Sequence, residues 1–390
     1  MLDRIFSNPL YQLPITFSSD DYKTEISKLL TSYIKDLEEI GVSQIVIDTI
    51  KQFRKSVSFT ISNYLKGIHS NAFENFGKAI DTLQIIDSPL LSVELGDVLL
   101  YRGRVNSESE DFSNDQMYHI PLNKRGIIAT QRYSFPGLPC LYVGASVYTC
   151  WVELNRPSFE NFQVATVKAS CEAQKKKVLD MSHIPQRLVE LQKEDWFNTD
   201  DYLRYWPLIA LCSIKVRNEG HTFKPEYMFP QFLLEYILKR KSEHIGIKYA
   251  SIKAAAISKK QFTDDWHTYV NYVFPARSDS MSDEQCTYLA ENFMIDRTRS
   301  GKELQILSRM LEVDHVRLRT SFQDGAITLD VPTPKGTWNI YTGDGKPYPY
   351  ATSVFGMIEE AMKRDDFELE TETPRIETLS DDEIDQLMDS

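Results

Sequence analysis

The most constraining feature of this sequence is a change in the spacing of its apolar residues near residue 89. Between residues 18 and 85, apolar side chains recur every three or four positions, which is the period of an amphipathic helix. After Asp87-Ser88-Pro89 they occur in short runs separated by glycine, proline and charged residues, a pattern typical of strands. Helices followed by mixed strands and helices, without a repeating strand-helix-strand unit, predict an α+β fold.

Three helices are predicted before the change in pattern. The first follows the capping residues at 18–21 and ends at Gly41, the second ends at Gly67, and a shorter third helix extends to Leu83. Residues 1–17 show no period, so we expect an irregular lead-in. Residues 1–89 are therefore predicted to form an N-terminal helical domain.

A mixed sheet is predicted for residues 90–300. Strands are expected at 98–101, 140–143, 164–167, 177–180, 245–249 and 269–273, and helices near 147–155, 201–214 and 230–241. The last helix is expected to begin at Pro230, because proline is favoured in a first helical turn.

The chain after residue 300 is predicted to be an α/β appendage at 301–363 and an acidic tail at 364–390. Apolar runs indicate a helix at 304–311, strands at 326–331 and 337–341, and a helix around 354–358. The tail contains eleven Asp and Glu against two Arg, so it carries −9 of the total net charge of −12. Such a tail is expected to be a disordered, solubilising end, although it could also cover a basic cleft.

Composition excludes several classes of protein. A net charge of −12 argues against nucleic acid as a partner, since phosphate binding needs clustered Lys and Arg. No run of eighteen apolar residues and no signal-peptide pattern occurs, so we expect no membrane partner and a cytoplasmic location. The five cysteines form no CxxC pair and the histidines form no metal-binding spacing, which predicts reduced structural thiols and no metal site.

The usual nucleotide and hydrolase signatures do not occur. The sequence contains no GxGxxG motif after a strand, no GxxxxGK[ST] motif and no GxSxG motif. A Rossmann enzyme, a P-loop NTPase and an α/β-hydrolase are therefore not predicted.

Charged and aromatic residues beside apolar strands remain as candidates for chemistry. Arg102 follows a strand and Arg132 precedes a Pro-Gly corner, so each is either a surface or structural arginine or part of an anion site. Tyr142 lies in an apolar run and is either a core residue or a ring that stacks on a flat ligand. Glu153 lies on a helix, and an inward carboxylate would need a cation or hydrogen-bond donors.

The spacing of these residues resembles that of the RES domain family. Arg132, a tyrosine ten positions later at Tyr142 and a glutamate eleven further at Glu153 reproduce its core pattern. Arg102, preceded by Tyr101, matches the first arginine of the family, and Ser251 matches its serine. The resemblance covers about residues 90–300. Tyr133-Ser134 departs from it, because many members have Trp or Phe followed by Asn there.

The resemblance implies an ADP-ribosyltransferase-like fold and an enzyme that degrades NAD⁺. By this resemblance Glu153, Arg132 and Tyr142 are catalytic, and NAD⁺ is bound by Arg102, Tyr101, Arg132, Tyr142 and Ser251. We expect the arginines to hold the diphosphate, Tyr142 to stack, Ser251 to bond the ligand and Glu153 to stabilise an oxocarbenium-like transition state.

The sequence leaves the product of the reaction open. Water as acceptor would make the chain a glycohydrolase and phosphate a phosphorylase, whereas a protein or nucleotide target would make it an ADP-ribosyltransferase. A module that binds a nucleotide without catalysis is a further alternative. The resemblance also implies a toxin or defence effector that an inhibitory antitoxin protein controls, and it leaves a homo-oligomer open.

Overall fold

A computed structural model of the chain describes residues 2–106, 111–240, 243–253, 266–300, 303, 320–323, 326–333, 336–341, 350 and 353–363. The α-helices in this part are α1 (Leu2–Phe6), α2 (Tyr22–Glu39), α3 (Gln44–Leu65), α4 (His69–Leu83), α5 (Val147–Glu153), α6 (Cys171–Gln174), α7 (Leu188–Leu191), α8 (Thr199–Cys212), α9 (Met228–Lys239), α10 (Thr287–Asn292) and α11 (Val354–Lys363). The helices predicted in the first 89 residues and around 147–155, 201–214 and 354–358 are confirmed. The helix predicted from Pro230 begins two residues earlier, at Met228.

The strands are β1 (Ser92–Glu94), β2 (Leu99–Val105), β3 (Cys140–Gly144), β4 (Phe162–Ala169), β5 (Lys177–Met181), β6 (His244–Ala250), β7 (Val270–Pro275), β8 (Phe293–Arg299), β9 (Thr320–Gln323), β10 (Ala326–Thr333) and β11 (Gly336–Tyr341). Every strand predicted from the sequence is confirmed. The helix predicted at 304–311 and the tail at 364–390 lie outside the described residues.

The first eight strands form one mixed sheet in the order β1-β5-β6-β7-β3-β2-β4-β8. Strands β5 and β6 are parallel, and the other neighbouring strands of this sheet pair antiparallel. Strands β9, β10 and β11 form a separate antiparallel sheet. The predicted α+β class is therefore confirmed.

The N-terminal helices and the large sheet share one apolar core. It contains residues of α2, α3 and α4 together with residues of α8 and α9, and it reaches the sheet at Leu179, Ile247 and Val273. The opposite face of the sheet packs a second core around Tyr272 and Phe274. Residue 89 thus separates the N-terminal helices from the part of the chain that forms the sheet, but both parts of the chain contribute to the same core.

The expectation of an irregular lead-in at residues 1–17 is wrong. Leu2, Ile5 and Phe6 of α1 and Tyr11 are buried. The ring centroids of Tyr11 and Trp206 are 5.3 Å apart. The segment is too short to show a helical period in the sequence, but its apolar side chains fill the space beside α8.

A buried group of charges lies in the parallel part of the sheet. Asp180 of β5 is 2% exposed, and Lys248 of β6 donates to its carboxylate at 2.7 Å. Burial opposes ionisation of Asp180, but Lys248, His183 and Ser182 outweigh it and hold its pKa below the ordinary value. A buried charge that is paired in this way is a structural ion pair.

No helix in the described part of the chain is long and apolar enough to cross a membrane.

The shared core predicts a strong effect of a single tryptophan. Trp206 of α8 is 0% exposed, and its ring centroid lies 4.3 Å from that of Tyr33 on α2. Trp206→Ala should lower the free energy of unfolding by about 3–5 kcal/mol, because it leaves a large cavity between the two groups of helices. Trp196→Ala is the matched control, since Trp196 is 41% exposed. Its expected change is within about 0.5 kcal/mol.

Urea unfolding followed by far-ultraviolet circular dichroism measures both variants. Equal destabilisation by the two substitutions would contradict a core that is shared through α8.

Candidate functional site

A cleft opens where the large sheet divides between β2 and β3. These neighbours pair only through Tyr101 and Gly144, whereas β2 and β4 pair along seven positions. Beyond this single pair the two strands diverge. The cleft has a volume of about 900 Å³, and Arg102, Arg132, Tyr142 and Glu153 all line it. Its size is that of a site for a small organic ligand or cofactor.

Arg102 lies at the point where the strands separate. Its Nε donates to the carbonyl of Tyr118 at 3.1 Å, and its Nη1 donates to the carbonyl of Tyr142 at 2.6 Å. Burial and the nearby Arg104 lower the pKa of Arg102 to about 10, so the side chain remains protonated at neutral pH. Two N–H donors of this guanidinium therefore bind backbone carbonyls of the protein, and its other N–H groups can donate to a ligand.

Helix α5 packs closely on the two diverging strands because both carry a glycine. A Cβ atom on Gly144 would lie 2.9 Å from Sγ of Cys150, and one on Gly103 would lie 3.0 Å from the Cβ of Cys150. The helix begins after Ser146, whose Oγ accepts a hydrogen bond from the amide of Thr149 at 3.0 Å. Its last residue is Glu153, which faces the cleft.

Glu153 is held by two neutral donors from distant parts of the chain. The hydroxyl of Ser251 donates to Oε1 at 2.7 Å, and Nδ2 of Asn271 donates to the same oxygen at 2.8 Å. No described residue donates to Oε2. These two hydrogen bonds fix the orientation of the carboxylate.

This arrangement changes the role predicted for Ser251. The side chain is fully buried, and its hydroxyl binds Glu153 instead of facing the cleft. Ser251 comes directly after β6, so the strand places it beside α5. In this structure Ser251 orients the carboxylate and does not line the cleft, and its contact with the ligand stays a prediction.

Arg132 lies in a loop that α9 holds in place. Nε2 of the buried Gln231 donates to the carbonyl oxygens of Gln131 and Ser134, on either side of the arginine, at 2.9 and 3.1 Å. The Arg132 guanidinium lies 5.1 Å from the ring centroid of Tyr227, and its Nη1 donates to the carbonyl of Cys212 at 3.3 Å. Most of its donors remain available, as an anion site requires.

Tyr142 is partly buried at the wall of the cleft. Its hydroxyl donates to Oγ of Ser134 at 3.1 Å, and burial raises its pKa well above the ordinary value. Ser134, at which the sequence departs from the family pattern, is itself buried and bonded to this tyrosine. Ser134 therefore orients Tyr142 and also lines the cleft.

Tyr101 does not belong to the cleft. It is 1% exposed and packs with Val147, Tyr148 and Cys150 of α5. Successive side chains of a strand point to opposite faces, so β2 cannot direct both Tyr101 and Arg102 to the same place. The structure therefore places Tyr101 behind the cleft wall, and its contact with the ligand stays a prediction.

The cleft is strongly basic in a protein with an acidic net charge. Its cationic lining residues are Arg102, Arg104, Lys124, Arg132, Arg156, Lys215 and Lys253. The acidic residues among the described lining are Glu153 and Glu219. Such a distribution attracts and holds an anionic ligand. The sequence hides it, because these residues are spread over about 150 positions.

Sequence reasoning missed three residues that shape the site. Asn271 binds Glu153, Lys253 donates to the backbone carbonyl of Glu153 at 2.8 Å, and Tyr227 packs against Arg132. Each lies far along the chain from the residue that it contacts. A polar Asn271 within the apolar run of β7 was the one available signal, because a buried polar group needs a partner.

Four of the five cysteines are buried as the sequence predicts, whereas Cys171 is exposed. Cys140, Cys150, Cys212 and Cys286 are buried, no disulfide forms, and burial raises the pKa of the Cys150 and Cys212 thiols to about 12. In the described part of the chain, no group of three or more His, Cys, Asp or Glu side chains is arranged to hold a metal ion.

The contacts of the two arginines predict different effects on stability. Arg102→Leu should lower the free energy of unfolding by about 2–3 kcal/mol, because two partly buried carbonyl groups lose charged donors. Arg132→Leu, the matched control, should cost less than about 1 kcal/mol, since this arginine makes one long hydrogen bond and is partly exposed. Urea unfolding measures both. A larger loss in Arg132→Leu would contradict the structural role of Arg102.

The chain is similar to a protein of Bacillus subtilis (strain 168) named "Putative toxin YopC". The two sequences are 33% identical over 295 residues, and the alignment covers 71% of this chain and 65% of the relative. The chain thus spans just under two thirds of that protein's length. No family model matches the chain. No solved structure matches it either. The resemblance to the RES family therefore rests on the spacing of the motif residues alone.

Proposed function

We propose that the chain cleaves NAD⁺ and releases nicotinamide, with an ADP-ribosyltransferase-like fold. The observation that carries this proposal is a basic cleft in which one carboxylate, Glu153, is oriented by the neutral donors Ser251 and Asn271. The choice of NAD⁺ as the substrate rests on the residue pattern that resembles the RES family. A mixed sheet that divides around a ligand cleft is compatible with the implied fold.

The positive charge of the cleft suits the diphosphate of NAD⁺. Arg132 can present a planar pair of donors to phosphate oxygens, and Arg102 keeps donors that do not bind Tyr118 or Tyr142. Because Arg102 is already fixed by the protein, little conformational entropy is lost when it binds the ligand. The nicotinamide riboside end would then reach Glu153.

Glu153 would stabilise the transition state. As the bond between C1′ of the ribose and the nicotinamide nitrogen breaks, its electron pair moves to the ring nitrogen and positive charge develops on the ribose. Oε2 of Glu153, to which no described residue donates, would accept a ribose hydroxyl, and the carboxylate charge would offset the developing cation. Nicotinamide leaves as a neutral molecule, so the step needs no general acid.

The acceptor then completes the reaction. Attack by water on C1′ with loss of a proton gives ADP-ribose, and attack by phosphate gives ADP-ribose 1″-phosphate. The proposal includes a biological role as a toxin or defence effector that depletes NAD⁺, which the name of the similar Bacillus subtilis protein supports. An inhibitory partner protein would then be needed to protect the cell that makes it.

A carboxylate variant tests the proposal. Glu153→Gln keeps the size and the hydrogen bonds of the side chain but removes its charge. We expect nicotinamide release from NAD⁺ to fall by at least about 100-fold, with NAD⁺ affinity retained, because the charge acts in the transition state. Glu219→Gln is the matched control, since Glu219 lines the same cleft and is exposed.

Chromatography of the products, with and without inorganic phosphate, identifies the acceptor. If most NAD⁺ stays intact and ADP-ribose from it is found on a protein or nucleotide, the proposal of free NAD⁺ breakdown would be replaced by that of an ADP-ribosyltransferase. Tight NAD⁺ binding without any turnover would indicate a binding module. Equal activity of wild type and Glu153→Gln would remove Glu153 from the mechanism.

A further inference from the structure

Helix α5, which ends at Glu153, is bound at both ends by charged groups from distant segments. At its first residue, the amide of Val147 donates to Oε1 of Glu359 at 2.7 Å. At its last residue, Lys253 donates to the carbonyl of Glu153 at 2.8 Å. An anion at the start of a helix and a cation at its end both match the helix dipole.

The charge at the start of α5 comes from α11, far along the chain. Glu359 is 8% exposed and does not line the cleft, so it is not a ligand-binding residue. The hydroxyl of Tyr350 donates to the same carboxylate oxygen. Burying a carboxylate is costly unless hydrogen-bond donors meet it. The amide of Val147 is one of these donors, because an amide in the first turn of a helix has no partner within the helix.

An aromatic contact fixes α11 against α5 beside this carboxylate. The ring centroid of Phe355 lies 5.2 Å from that of Tyr148 and 5.2 Å from that of Trp151, both on α5. Ile358 and Met362 are buried in the same cluster. Helix α11 itself begins after Ser353, whose Oγ accepts a hydrogen bond from the amide of Gly356 at 3.0 Å.

Helix α5 depends on such contacts because it has only seven residues. A helix of this length is not stable alone in water, so packing decides where it lies. Glu153 meets Ser251 and Asn271 only if α5 keeps its position along the sheet. A shift of about 1 Å at a reacting group is enough to lower a rate by about 100-fold.

We propose that Glu359 is a positioning residue for the reaction, and that docking of α11 on α5 completes the cleft. Residues 353–363 therefore support the active site although the described residues among them do not line the cleft. The rate effect rests on the proposed NAD⁺ cleavage, whereas the effect on α5 does not.

Amide hydrogen exchange of the full chain without NAD⁺ tests the structural part. Glu359→Ala should speed exchange in residues 147–154 by about tenfold or more, while β5 and β6 exchange at the wild-type rate. Glu359→Gln should have a smaller effect, because its amide oxygen can still accept from Val147. Glu360→Ala is the matched control on the exposed side of α11 and should leave exchange unchanged.

Kinetics with NAD⁺ test the positioning role. Glu359→Ala should lower kcat by about tenfold with KM within about twofold, since ligand-binding residues are untouched. Unchanged exchange at 147–154 overturns the inference, as does equal acceleration over the whole sheet, which would show general destabilisation. Faster exchange confined to α5 supports the inference even if the wild type leaves NAD⁺ intact, and that second result would refute only the proposed function.

Discussion

The single pairing between Tyr101 and Gly144 is the constraint on which the rest of the site depends. Neighbouring strands of a sheet normally satisfy each other's backbone groups along their length. Here β2 and β3 diverge after one pair, so the sheet gains a cleft but leaves backbone carbonyls without strand partners. Arg102 restores part of what is lost by donating to the carbonyl of Tyr142 on β3, and it also holds the loop at Tyr118 by donating to that carbonyl. One cation thus stabilises the opening and remains inside it.

The position of Glu153 follows from the same divergence. Helix α5 covers both strands, and Gly103 and Gly144 permit its close approach. The helix is short, so neighbours at both ends set its place, with Glu359 at the start and Lys253 at the end. Ser251, directly after β6, and Asn271 of β7 then donate hydrogen bonds to the carboxylate. Groups from three segments of the chain, residues 251–253, β7 and α11, converge on one short helix.

Buried polar groups in this protein fall into two kinds. Asp180 is paired with Lys248, and such a pair is complete without a ligand. The cleft is different, because it collects cations from several segments around one oriented carboxylate. A basic surface of this kind repels itself unless an anion is bound. This imbalance, more than any single residue, makes the cleft the candidate functional site.

The sequence by itself determined most of the long helices, most of the strands and the α+β class, because apolar periodicity reports local structure. It missed the short helices α1, α6, α7 and α10 and the strands β1, β8 and β9. It also identified Arg102, Arg132, Tyr142 and Glu153, which the tertiary structure brings to one cleft. It could not assign Tyr101 and Ser251, since the face of a strand on which a side chain lies depends on what packs there. The partners of Glu153 are 98 and 118 positions away, and Glu359 lies 212 positions from Val147. Only tertiary structure decides such contacts, because no local pattern encodes which distant segments meet.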